Sequence, residues 1–319
     1  MTAMSGEGKQ ELKRGNSFPS FSLPSEGKQE LKRGNSFPSF SLPNQKNIRI
    51  IKSYVRGASH KRKNTECQDS SLTRQIGDII FLAAADGHGS ESCPYSKSGS
   101  RQAVNVFYDL MHKHFLGYKS NPEKLMSFLG REGETSVARA IDLRWKKLII
   151  AEHMAENREI PTVPNPRFSR ITREQLIWKQ YGTTLLGLVL TPTFYFAFQL
   201  GDGDVLLLKG GKAETVNKSE RILGTATHSL SREDSWKRAL TCVNPIPDSE
   251  GDMAFMISTD GFSNSYASDS DFLRTCLEYH AVIKQYGTLT VRSNLKKWLN
   301  ETSEKGSGDD ITVLFAVYG

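Results

Sequence analysis

Apolar runs in this sequence stop repeatedly at an aspartate. Four segments share the theme: Ala85-Asp86-Gly87-His88-Gly89, Leu200-Gly201-Asp202-Gly203-Asp204, Ser258-Thr259-Asp260-Gly261-Phe262 and Gly308-Asp309-Asp310-Ile311. A fifth, Cys67-Gln68-Asp69, lies in what reads as the first hairpin region. Any one alone is a turn, because Asp and Gly suit turn backbones. Five such ends brought together by one fold would present a cluster of hard oxygen donors, which suits Mg²⁺ or Mn²⁺ and not zinc.

The segments between these turns set the fold class. Ile48 to Val55 alternates apolar and polar residues as a strand does, and Asp78 to Ala85 reads as a buried strand ending at Asp86. Ala103, Phe107, Leu110, Met111 and His114 recur at helical spacing within Ser98 to Phe115. Val137, Ile141, Trp145 and Leu148 do the same within Ser136 to Asn157. Pro161, Pro164 and Pro166 make Glu159 to Arg170 a loop. A three-strand meander is expected over Thr183–Leu190, Phe194–Leu200 and Val205–Leu208. Further strands fall at Met253–Ser258 and Ile311–Val317, with helices over Phe272–Gln285 and Val291–Asn300. Strands in runs, with helical blocks between them, predict a β-sandwich covered by helices and not alternating βαβ units.

Residues 7–24 recur letter for letter as residues 26–43. Rich in Gly, Ser, Pro and Lys, this unit cannot bury enough surface to offset chain entropy. Residues 1–46 therefore read as a flexible tail, and 47–319 as one catalytic body. Arg14, Ser17 and Pro19, repeated as Arg33, Ser36 and Pro38, make the tail a candidate phosphorylation-dependent docking segment for a partner. The net charge of +7 is no nucleic-acid signature: the tail carries seven Lys/Arg against four Glu, which leaves the body only +4. The four cysteines (Cys67, Cys93, Cys242, Cys276) form no CxxC pair and read as reduced, packed thiols. No apolar run is long enough for a membrane span and none resembles a secretory leader, so a cytoplasmic location is expected.

In order, CQD, ADGHG, YGTT, LGDGD, STDG and GDDITV resemble the protein phosphatase 2C family of metal-dependent serine/threonine phosphatases. The resemblance spans Gly57 to Gly319, and the stretch from Gly57 to Asp69 is most similar to the bacterial branch. It implies an α+β fold, a four-layer α-β-β-α sandwich of two mainly antiparallel sheets flanked by helices. It also implies two Mg²⁺ or Mn²⁺ ions: Asp86 bridging both, the Gly87 carbonyl on one, Asp260 and Asp309 completing the set, and Asp69 assisting directly or through water. Asp202 would hold a third, weaker ion. His88 would protonate the leaving oxygen, Thr183 and Thr184 would build the strand beside the site, and Arg62 is the candidate grip on the phosphate. A phosphorylated protein substrate follows, with a cognate Ser/Thr kinase as a further candidate partner.

Four departures bear on this. Gln68 stands where the family often has glutamate, Asn264 where some members have another acid, and Asp310 where many have Asn. The family's phosphate-gripping arginine is displaced, and a solvated basic hairpin over residues 60–64 competes with the Arg62 reading. Gln68 and the displaced arginine motivate the alternative of a phosphoprotein-binding pseudophosphatase, whereas Asn264 bears on the third ion. Gly210 to Pro247 is the expected mobile flap, with Ser231 and Asp234 as a capping box opening a helix in Ser229–Trp236.

Overall fold

Six of the ten strands among the described residues are apolar on both faces, a pattern that requires cover on both sides. In β3 (Ile79–Ala85), Phe81, Ala83 and Ala85 join one core cluster, while Ile80, Leu82 and Ala84 join another. Strands β4 (Leu185–Leu190), β5 (Phe194–Leu200), β9 (Met253–Ser258) and β10 (Ile311–Tyr318) are buried at every position. The computed structural model describes residues 48–116, 121–162, 171–217, 228–247 and 252–319. The tandem repeat, the end of the proline-rich loop and residues 218–227 of the expected flap lie outside them.

The strands form two five-stranded antiparallel sheets. One has the order β1 (Ile48–Val55), β10, β9, β6 (Asp204–Lys209), β7 (Lys212–Thr215). The other has the order β2 (Ser70–Ile76), β3, β4, β5, β8 (Leu240–Pro245). Their facing surfaces share one core, with Leu82, Leu186, Leu188 and Ala197 on one side and Val205, Phe255, Ile257 and Leu314 on the other. Helices α2 (Ser96–Phe115) and α4 (Ala138–Ala155) cover the outer face of the second sheet through Phe107, Met111, Ile141, Trp145 and Ile149. Helix α7 (Asp269–Lys305) covers the first through Phe272, Tyr279, Val291, Leu295 and Leu299. Each fully buried side chain of this kind contributes about 1.5–3 kcal/mol by leaving water. This is the expected four-layer α+β sandwich.

The described residues also include the smaller elements α1 (Ala58–Lys63), α3 (Pro122–Glu132) with the π turn Gly133–Val137 after it, α5 (Arg173–Lys179) and the single turn α6 (Asp260–Ser263). Thr172 and Gln175 form a reciprocal capping box that starts α5.

Three expectations are corrected. The meander is broken, because β4 and β5 pair while β6 crosses into the other sheet beside β9. The basic run from His60 to Lys63 lies in helix α1 and not in a hairpin; the first hairpin is β2–β3, beyond Asp69. The capped helix at Ser229–Trp236 is absent. Asp234 sits in the left-handed region at φ 50°, makes no side-chain cap, and precedes only the 3₁₀ turn Ser235–Arg238. A side chain that reaches no N–H cannot cap.

The two helices expected near the C-terminus meet at Gly287, whose φ of 81° and ψ of 163° interrupt α7. That backbone region is nearly exclusive to glycine, so Gly287→Ala should cost about 1–3 kcal/mol in urea unfolding. A second expectation concerns His153, which is completely buried on α4. Arg158 Nη1 donates to the Tyr181 hydroxyl oxygen at 2.6 Å, leaving the Tyr181 proton for His153 Nδ1 at 3.2 Å. Only a neutral ring accepts there; burial first, and then the Arg158 charge, hold its pKa below the ordinary 6.5. The contribution to stability is complete above pH 6.5 and is lost as pH falls towards the folded value, because the unfolded chain takes up the proton first. Between pH 7.5 and 5.5 the Tm should fall, and His153→Gln should flatten that fall.

Candidate active site

Antiparallel pairing decides which strand ends share an edge. Ser70 lies opposite Ala85, so Asp69 just before β2 meets Asp86 just after β3. Ser258 lies opposite both Asp204 and Val313, which brings the β5–β6 turn with Asp202, the end of β9 with Asp260, and the entry to β10 with Asp309 to the same end. Residues separated by up to 240 positions in sequence thus meet, because both sheets terminate together.

Hydrogen bonds then fix the loops. Asp86 N donates to Thr184 Oγ1 at 2.9 Å, while Thr184 N at 2.9 Å and Thr183 Oγ1 at 2.8 Å donate to the Asp86 carbonyl. Gly87 forms a bridge with Thr183, and His88 N donates to Gly182 O at 3.0 Å. Thr183 and Thr184 therefore hold the acidic loop from just ahead of β4; they lie outside the strand they were expected to build, and Thr183 pairs only through that isolated bridge. Thr259 Oγ1 donates to Asp69 Oδ2 at 2.9 Å, and Asn264 Nδ2 to Asp260 Oδ2 at 2.9 Å. In the β5–β6 turn, Gln199 Nε2 donates to Gly203 O at 2.9 Å, which shapes the backbone around Asp202.

Five acids at one edge repel. Burial, followed by the charges of Asp69, Asp260, Asp309 and Asp202, pushes the Asp86 carboxyl well above its ordinary range. Burial and then Asp202, Asp309 and Asp69 raise Asp260 to about 8. Asp69, raised mainly by burial with Asp310 and Asp309 adding, reaches about 7. Asp309 is also raised, again chiefly by burial. Such shifts mark a place where negative charge lacks compensation. Asp69 Oδ1 and Gln68 Oε1 are, in addition, buried acceptors with no hydrogen-bond donor. The donor chemistry and the charge fit hard divalent cations. Among the described residues, no three Asp, Glu, His or Cys side chains are drawn in tightly enough to hold an ion as they stand. The spacing would have to tighten around one.

The choice between Asp309 and Asp310 has a geometric basis. Asp310 is 3% exposed and its carboxylate is already engaged: Gly57 N donates to Oδ1 at 2.6 Å and Gln68 N to Oδ2 at 2.6 Å. His60 Nδ1 lies 3.0 Å from Asp310 Oδ1, and its Nε2 lies 3.7 Å from Asp309 Oδ1. Asp310 thus clasps the N-terminal loop, while the Asp309 side chain stays half exposed towards the cluster.

His88 packs its ring against Gly182, where a Cβ would come within 2.4 Å of His88 Cδ2. Burial lowers its pKa, the nearby Arg232 lowers it further, and Asp202 opposes them. Arg62 is exposed on α1, and no hydrogen bond or ion pair among the described residues joins it to the carboxylates. Two further basic residues border the site: His60, beside Asp309 and Asp310, and Arg232, near enough to His88 to lower its pKa. His60 lay in a recognised stretch but carried no spacing signal. Arg232 lay in a segment read as a helix. All four cysteines are free thiols, and burial, then Asp310 and Asp69, push Cys67 up to about 12, which rules out a thiolate nucleophile there at neutral pH.

The protein phosphatase 2C model matches residues 56–300. No curated protein sequence matches the chain. Among solved structures, the catalytic domain of the serine/threonine protein phosphatase PstP in complex with two manganese ions is similar, with TM-score 0.55 and 15% identity over 85% of this chain and 97% of that one. The Mycobacterium tuberculosis serine/threonine phosphatase PstP/Ppp follows at TM-score 0.53 and 15% identity, covering 85% and 98%. PppA, a regulatory component of T6SS in Pseudomonas aeruginosa, is similar at TM-score 0.52 and 16% identity, covering 85% and 98%. At these identities the neighbours attest the shared fold, and the sequence match supplies the rest: the chain belongs to the protein phosphatase 2C family, the serine/threonine phosphatases of this fold.

Proposed function

We propose that this chain hydrolyses phosphoserine and phosphothreonine in proteins, using two Mg²⁺ or Mn²⁺ ions held at the acidic end of the sandwich. The observation that carries the reading is the meeting of five buried or half-buried carboxylates from five separate strand ends. Asp86 with the Gly87 carbonyl, Asp260 and Asp309 would hold the pair, with Asp69 in support and Asp202 available to a third, weaker ion. The similar catalytic domain that carries two manganese ions supports that number. Ions bound there would supply Lewis acidity that activates the attacking water and offsets charge on the phosphoryl oxygens.

The chain's own residues do the remaining work. Thr183 and Thr184 fix the Asp86 backbone, so the carboxylate has little freedom to reorient. His88, on the same loop, holds a ring nitrogen where a proton can pass to the departing serine or threonine oxygen. Burial holds its pKa below the ordinary 6.5, which makes the imidazolium a stronger acid and also a scarcer one at neutral pH. Arg62 is the candidate cation for the phosphoryl group from the α1 side. A cognate Ser/Thr kinase and a partner docked on the tail belong to the same reading.

Mn²⁺ should support turnover of an aryl phosphate and of phosphopeptides, EDTA should abolish both, and Asp260→Asn should lower kcat about a hundredfold or more. Phosphopeptide binding without any Mn²⁺-dependent turnover would make the chain a phosphoprotein-binding module instead. In thermal melts, Mn²⁺ should raise the Tm of the wild type. Asp86→Asn should raise the metal-free Tm, by removing a repelled carboxylate, and should lose most of the Mn²⁺ increment. His88→Ala should depress phosphopeptide turnover by about 10²-fold and aryl phosphate turnover much less, because an aryl leaving group needs little protonation.

A further inference from the structure

Residues 228–239 run as a loop and one 3₁₀ turn beside the acidic end, held from two sides. Towards the site, Leu230 N donates to Thr183 O at 2.9 Å and Thr183 N donates to Ser229 Oγ at 3.0 Å. The same Thr183 hydroxyl reaches the Asp86 carbonyl at 2.8 Å, so a single residue separates this segment from the centre of the acidic cluster. From below, α4 presents a buried ion pair, Asp142–Lys146, at 2.8 Å, with the two residues 2% and 6% exposed. Lys146 Nζ donates to Arg232 O at 2.8 Å, and Ser235 Oγ donates to Asp142 Oδ1. A buried pair returns little net stability after desolvation. Here it fixes the backbone of Arg232 and Ser235.

The segment walls a cleft of about 490 Å³, in which Leu200, His228 and Ser229 meet Arg232, Lys237 and Arg238. Two acids also line it, both engaged with neighbours: Asp234 pairs with Lys237 at 2.7 Å, and Glu233 accepts from Gln175 Nε2 at 2.8 Å. No ion pair or side-chain hydrogen bond among the described residues engages the guanidinium groups of Arg232 or Arg238. Among the described residues, then, neither guanidinium group has an ion-pair partner, and both line one cleft beside the acidic cluster. Their planar forks match a carboxylate or a phosphate with paired hydrogen bonds.

We propose that this cleft is a second anion subsite, in which Arg232 and Arg238 grip an acidic or phosphorylated side chain lying a few residues from the phosphoserine being hydrolysed. The inference rests on the phosphopeptide reading and narrows it: the preferred substrates are segments whose phosphorylated residue has an anionic neighbour. A neutral residue of similar size would enter the cleft without a partner for either fork.

The test is equilibrium binding of fluorescent, hydrolysis-resistant phosphonate peptides to the full chain with Mn²⁺, read by anisotropy. Three peptides differ only at the neighbouring positions, which carry alanine, glutamate or a second phosphonate. The expected result is about tenfold tighter binding of the anionic peptides, weakening as salt rises. Arg232→Ala/Arg238→Ala should reduce that ratio to within twofold, and the corresponding Lys double variant should retain part of it. Tighter binding of the doubly phosphonylated peptide would assign the site to a second phosphate, and equal binding of the two anionic peptides to any carboxylate or phosphate. Equal affinity for all three peptides, or an unchanged ratio in the Ala variant, overturns the subsite. Hydrolysis of ordinary phosphopeptides, measured in parallel, reports on the parent reading: loss of turnover with the binding ratio intact would overturn that reading and leave the subsite standing.

Discussion

Carboxylates that share one low-dielectric edge cannot all ionise comfortably, and this molecule is built to hold five of them there. Burial and mutual repulsion raise Asp69, Asp86, Asp260 and Asp309 together, with Asp202 among the perturbing charges. The two-sheet core opposes that repulsion. Strands buried on both faces cannot slip by one residue without turning a full row of side chains to the opposite layer. Register, in turn, fixes which acid ends beside which.

The supporting contacts show how local chemistry serves this constraint. Thr183 and Thr184 contribute side-chain groups to the Asp86 backbone, and Thr259 donates to Asp69 while accepting from Thr312 N at 2.9 Å. Asn264, which replaces an acid found in some relatives, donates to Asp260 and adds no further negative charge. Gln68 has its backbone N–H on Asp310 and its Oε1 buried without a donor. Its neutral amide leaves the edge with one charge fewer than glutamate would.

Much of this could be read from the sequence, and the limits have physical causes. Both helical periods and the strands ending at Asp86 and Asp260 were legible, because burial on a fixed face writes a period into the chain. The crossing of β6 to the other sheet was not, since β5 and β6 are joined by a turn as short as a hairpin's. The five acids were legible as strand-end punctuation. Their companions were harder: His60 reaches Asp310 only through tertiary folding, and Arg232 lies where Ser231 and Asp234 imitate a cap that a left-handed Asp234 cannot form. Arg62 matched a motif window by type, yet α1 leaves its side chain exposed.

The clasp between the N-terminal loop and the final strand bears on the order of assembly. Gly57 and Gln68 are held by Asp310, Ala58 N donates to Ser303 Oγ at 3.0 Å, and β1 pairs along the whole length of β10. These contacts span about 250 residues of chain, so their loop-closure entropy must be met before they return any stability, which makes them slow to form. On a ribosome, β1 would wait unpaired until β10 emerges. A growing chain would therefore carry no finished acidic edge, and no means of binding ions there, until its last strand had joined its first.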